Sequence, residues 1–190
     1  METLFILVCT FVVSIYETKV LQQTKKNEPM LFSLCSLACI PFVSQDRFWF
    51  TQLFFTFLFC LFEQDRHTFY ISRNWLIPCI CIIICFIMFY KQVYGIASLL
   101  YSVPALLLHR RHPEWIGIAD VYFLCFFGLL LGIQRMMIAV LISIVFGLFW
   151  AILKQNKMIP YVSCLCVGVW ISYLKGYVLW VYLFNLLSAF

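Results

Sequence analysis

The sequence predicts an all-α protein, a polytopic membrane helix bundle of about eight transmembrane helices forming a single domain over residues 1–190. Three observations carry this. Of the 190 residues, 65% are hydrophobic and 11% charged, whereas soluble domains carry about a quarter charged residues. The chain holds 21 Phe, 10 Tyr and 6 Trp, more large apolar surface than a small globule in water can bury. Its mean hydropathy is +0.99. The same composition excludes a disordered chain, a collagen-like repeat and a secreted disulfide scaffold. Almost nothing is left for an extramembrane domain, so any chemistry sits in the bundle or on its short loops.

Polar knots divide the apolar text into predicted spans at 3–16, 30–43, 48–62, 75–90, 93–108, 115–132, 136–153 and 158–174. A last apolar piece, 177–190, is either a ninth span or a bent continuation. The first lacks a basic stretch and a small-residue cleavage site, so it reads as a retained helix. Several spans are shorter than about 17 residues and must borrow from their flanking loops. The 48–62 span is rich in Phe and ends at Glu63; 75–90 opens at Trp75 and closes before Lys91; 93–108 closes at the basic run His109-Arg110-Arg111. The 115–132 span opens at Trp115 and contains Gly128-x-x-x-Gly132, a small-residue face that permits close helix packing within the chain. Arg135 and Lys154 bracket 136–153, and Lys175 follows 158–174. Trp at many boundaries fits interfacial belts.

The net charge of +5 reports topology, not nucleic-acid binding. With the N-terminus outside, the cytoplasmic loops hold Lys19, Lys25, Lys26, Arg66, Arg73, Arg110, Arg111, Lys154 and Lys157; the outer ones hold Arg47, Lys91, Arg135 and Lys175. That asymmetry fixes the orientation by the positive-inside rule. The 10 Cys are scattered inside apolar runs, where a free thiol packs as a small hydrophobe.

With 8 acidic residues, each can be considered singly. Glu2, Glu17, Glu28 and Asp46 fall in termini or loops; Glu63 and Asp65 follow the third span; Glu114 precedes the sixth. Asp120 lies inside the 115–132 run, about 7 Å along the helix axis from its start. A carboxyl at that depth is costly and usually functional; the structural alternative is a reach to the interface or a pair with Arg110 or Arg111. Two predicted spans separate Asp65 from Asp120, so both lie near the same, cytoplasmic, interface. Two carboxyls in hydrogen-bonding reach share a proton. One can then act as base on a water and the other as acid toward a carbonyl oxygen.

These residues resemble a known family. Gly117-Ile118-Ala119-Asp120 resembles the GxGD signature of membrane aspartyl proteases, and the text after it, through Gly128 to Gly132, is similar to type 4 prepilin peptidases. Asp65 is followed by Arg66-His67-Thr68-Phe69-Tyr70-Ile71-Ser72-Arg73-Asn74-Trp75-Leu76, with Ile71-Ser72 at the family's Ile-Pro position. Lys157-Met158-Ile159-Pro160-Tyr161 resembles its K-x-IPF block. The likeness covers roughly 48–174. It implies a membrane aspartic endopeptidase of the bacterial plasma membrane, with Asp65 and Asp120 catalytic and Gly117 and Ala119 as motif positions. The implied partners are prepilins or pilin-like precursors of type IV pilus, secretion or competence systems, cut at the cytoplasmic face; no cofactor is implied. Ala119 stands where the second motif Gly usually is, which is tolerable at negative φ. Tyr122 stands where many members have Lys, and Ser72 where they have Pro. Many members also carry a zinc-binding cysteine insertion after the first helix, associated with methylation. Residues 17–29 contain no Cys, so the resemblance is to the short competence-type members lacking it.

The run His109-Arg110-Arg111-His112-Pro113-Glu114 fits no common zinc spacing and reads as a basic turn, so no metal ligand set is expected. Serine-hydrolase and zinc-protease motifs are absent. Two other functions stay open on sequence alone: a small transporter or channel using Asp120 as a proton or cation site, and a non-catalytic membrane subunit.

Overall fold

A computed structural model describes residues 2–21, 27–43, 47–154 and 159–188. The chain is all-α. Its helices are α1 (Glu2–Lys19), α2 (Asn27–Cys39), α3 (Phe48–Thr68), α4 (Leu76–Tyr90), α5 (Gly95–Arg111), α6 (Ile118–Lys154) and α7 (Tyr161–Ser188). Single 3₁₀ turns cover Ile40–Phe42 and Arg73–Trp75. The order follows the predicted spans, with two corrections. α6 covers two of them, and α7 absorbs the last apolar piece, as far as Ser188, as one continuous helix.

The polarity is inverted relative to a protein in water. Ile96, Ile152 and Met88 are 78%, 75% and 73% exposed, while Gln52, Glu63 and Asp65 are buried. Such an exterior suits lipid, where the interior is the place for polar groups. Among the described residues, 118–153 and 161–186 form helices long and apolar enough to cross a bilayer. The chain is a membrane protein.

Gly132 interrupts α6 with φ 77° and ψ 176°, a conformation reserved almost wholly for glycine. The Tyr161 side chain lies beside Ser143 and within electrostatic reach of Asp120. A straight helix would hold positions 120 and 143 about 34 Å apart, so the chain doubles back at Gly132. The limb 118–131 pairs with α5, where a Cβ on Gly128 would meet Ser98 Cα at 2.8 Å. The limb 133–154 pairs with α7, where a Cβ on Gly168 would meet the Ala139 carbonyl oxygen at 2.2 Å. Gly128 thus serves close internal packing, as its spacing suggests, whereas Gly132 serves the reversal.

α3 runs through the middle. Phe50, Phe54, Phe57, Leu58 and Leu61 join the main core with α4, α6 and α7. Phe55, Phe59 and Cys60, on its other side, pack with Cys9, Val13 and Phe32 of α1 and α2. Polar ties fix the register: Gln52 Nε2 donates to Ser36 Oγ at 2.9 Å, and the Thr10 and Ser33 hydroxyls lie 2.9 Å apart. α3 closes at Phe69, whose left-handed φ of 52° lets its N–H donate to the Asp65 carbonyl at 2.9 Å. Glu17 and Glu28, expected in a loop, are instead helical and buried. α1 runs past its predicted end and α2 starts ahead of its own, which carries both carboxyls inward. Asp46, Lys157 and Met158 lie outside the described residues.

Replacing Gly132 by Ala is expected to cost about 1–3 kcal/mol from backbone conformation alone. Gly168→Ala adds a clash with backbone. Both should lower the unfolding temperature of the detergent-solubilised protein, while Gly95→Ala, with open space around its Cβ, should leave it unchanged.

Candidate active site

Asp65 occupies the last turn of α3, past the Phe-rich stretch that anchors the helix in the core. It is 6% exposed. Ser163, in the first turn of α7, donates to Asp65 Oδ2 from its backbone N–H at 2.7 Å, and its Oγ lies 2.9 Å from the same oxygen. The Ser163 hydroxyl also lies 2.9 Å from the Phe62 carbonyl oxygen. One hydroxyl proton cannot serve both acceptors fully. When it goes to Phe62, a protonated Asp65 can donate to Ser163 Oγ in return; when Asp65 is ionised, both Ser163 donors can serve it. Ser163 therefore holds the carboxyl in place in either protonation state.

Asp120 sits at the third helical position of α6. Its Oδ2 accepts from the Gly117 backbone N–H at 2.9 Å. That is the reach-back half of a capping box, in which a side chain in the first turn satisfies the N–H of the residue before the helix. The sequence locates Asp120 there because Pro113 ends α5 and the loop needs residues 112–117 to turn. His109 fixes the turn: its Nδ1–H donates to the Ile116 carbonyl, 2.7 Å away. His109 also lies within electrostatic reach of Asp120.

The two carboxyls are 55 residues apart in the chain, yet lie close enough for the charge of Asp65 to act at Asp120. Tyr161, next to Ser163's turn, is within the same range of Asp120. The two sequence-predicted acids lie at the same end of the bundle, within electrostatic reach of each other. The geometry does not pair Asp120 with Arg110 or Arg111, both of which are exposed. Gly117 and Ala119 both lie outside the positive-φ region, so the Ala at the second motif position carries no backbone strain. Tyr122 is 59% exposed and faces outward. Ser72 accepts the Trp75 N–H at 3.2 Å from the 3₁₀ turn that leads into α4.

Two supporting residues escaped the sequence reading. Ser163 sits in an apolar run where a lone Ser carries no signal. Gln64, beside Asp65, accepts the Tyr16 hydroxyl at 2.6 Å and the Trp75 indole N–H on one oxygen. It thereby ties α1 and the entrance of α4 to the end of α3. A two-carboxyl site of this kind can relay a proton while activating a water.

The type IV leader peptidase family model matches residues 52–152, a stretch that contains Asp65, Gly117, Ala119 and Asp120 and ends before the 157–161 block. None of the curated proteins and none of the solved structures matches the chain.

Ser163→Ala removes one of two contacts to Asp65 while keeping the N–H. It is expected to cost about 1–3 kcal/mol, the penalty for leaving a buried acceptor short of a partner. Denaturant unfolding in detergent measures it.

Proposed function

We propose, since the chain belongs to the type IV leader peptidase family, that this protease is a multi-pass aspartic endopeptidase of the bacterial plasma membrane, crossing it about eight times. Its substrates are prepilins or pilin-like precursors of pilus, secretion or competence systems. By family resemblance it cuts the short basic leader after a Gly, at the cytoplasmic face and ahead of the substrate's apolar helix. The convergence of Asp65 and Asp120 from α3 and α6, inside the family-matched stretch, carries this reading.

In the mechanism, one carboxylate takes a proton from water as the oxygen attacks the scissile carbonyl carbon. The other, protonated, donates to the carbonyl oxygen. The resulting tetrahedral species collapses as the amine nitrogen gains a proton and leaves. Where two carboxyls share one proton, the two roles belong to the dyad and not to fixed residues. Two helix N-termini meet there: α7 offers the Ser163 N–H to Asp65, and α6 carries Asp120 in its first turn. Such ends favour negative charge, while a first charge within electrostatic reach opposes a second one. The arrangement suits a pair that holds one charge and one proton. It needs no metal or organic cofactor for the hydrolytic step.

Co-expression with a pilin-like precursor tests this. Asp65→Asn and Asp120→Asn nearly preserve size and remove ionisation. Each is expected to lower processing by at least about a thousandfold, ~4 kcal/mol of transition-state stabilisation, while inserting normally. Equal processing by wild type and both variants would remove the dyad from the mechanism. For orientation, green fluorescent protein fused after His112 should fluoresce, and alkaline phosphatase fused after Gln92 should be active. The opposite pattern would place the acids on the outer face.

A further inference from the structure

The end of α3 has a second polar face, pointing away from Asp65. Glu63 and His67 are one helical turn apart, and Glu63 is turned about 200° from Asp65 around the helix axis. They meet Glu28 of α2. His67 Nε2 lies 3.1 Å from Glu63 Oε2 and 3.8 Å from Glu28 Oε1. One donor atom from each of Glu28, Glu63 and His67 falls within 4.8 Å of the others. Arg66 bridges both acids, at 3.1 Å to Glu28 and 3.1 Å to Glu63.

An acidic cluster alone would be a salt-bridge network. Glu17 makes this one different. It is 4% exposed, and its Oε1 is buried without a hydrogen-bond partner among the described residues. Its carboxyl lies within electrostatic reach of Glu28, Arg66 and Glu63. A buried acceptor left unpaired is costly, and the cluster within its electrostatic reach is already rich in acceptors. With His67 neutral, three ionised carboxylates against one guanidinium leave two negative charges uncompensated. A divalent cation would neutralise them and give Glu17 a partner.

We propose that Glu17, Glu28, Glu63 and His67 form a zinc site that joins α1, α2 and α3. Glu28, Glu63 and His67 already hold their donor atoms together, and Glu17, outside that set, would turn in as the fourth ligand; zinc takes four N and O ligands in tetrahedral geometry at about 2.0–2.2 Å. A triangle of the observed size brings a central ion close to that distance. Imidazole among carboxylates favours a transition ion over magnesium or calcium. Binding replaces the proton shared by His67 Nε2 and Glu63 Oε2 and frees Arg66, whose side chain is 25% exposed, to turn outward. With four protein ligands the site is closed. It is therefore structural, and it takes no part in peptide hydrolysis.

The test is the zinc content of the full chain, purified in detergent through an affinity tag that binds no metal. Wild type is expected to carry about one zinc per chain by mass spectrometry of the metal. Glu63→Gln and His67→Gln should each fall at least tenfold, and Asp120→Asn should keep its zinc. X-ray absorption on the wild-type protein, which does not depend on any variant folding, should show only N and O neighbours. Zinc at background level in wild type would overturn the site. So would sulfur in the first shell, which would place the ion on the cysteines, or undiminished zinc in both ligand variants.

Discussion

Ser163 joins the start of α7 to the end of α3 through the Asp65 carboxyl, and the acid end of the bundle depends on that joint. The first amide groups of any helix lack intrahelical acceptors, and in lipid no water completes them. Asp65 supplies the missing acceptor for α7. Asp120 does the same for its own helix through Gly117. Each carboxyl thus has a structural task that holds it in place. Because α6 doubles back at Gly132, the starts of α6 and α7 lie at the same end, and both acids arrive together. Remove the reversal, and the 133–154 limb could not lie beside α7 while Asp120 stays near Tyr161.

The last turns of α3 divide labour by face. Periodicity sends Asp65 toward α6 and α7, and Glu63 and His67 toward α1 and α2. Gln64 lies between them and gathers Tyr16 and Trp75. One short polar segment after a Phe-rich helix therefore serves two polar centres without bringing their charges together. The left-handed close at Phe69 ends the helix after these positions. A longer helix would carry the 70–75 turn, and with it Trp75, away from Gln64.

Much of this was legible in the residues. Composition determined the class, and the spacing of apolar runs located most helices, because a span in lipid must be long and apolar whatever its neighbours. Asp120 stood out because a carboxyl inside such a run is costly. Asp65 was found only through the count of crossings between the two. Other features were hidden for physical reasons. Gly132 looks like half of a packing motif, since sequence does not display φ. Ser163 looks like a tolerated small residue, since its partner lies 98 residues away. Glu17 and Glu28 read as loop acids because helices end where tertiary contacts stop, not where hydrophobicity does.

The departures from the family pattern bear on activity only through the positions they occupy. Ala119 lies where φ is negative, so its methyl requires no strained backbone. Tyr122 points outward at 59% exposure; a lysine there would start from the same outward-facing backbone position and could reach Asp120 only by curling back around the helix. Ser72 lies in the 70–75 turn, where its carbonyl, which a proline also has, accepts the Trp75 N–H. The turn therefore keeps its bond without the proline ring. None of the three touches the contacts that hold Asp65 and Asp120. Those contacts come from Ser163 and from the Gly117 backbone, which the departures leave in place. The chemistry proposed for the pair follows from the carboxyls and their helix ends, and these survive in a chain whose motif text has drifted.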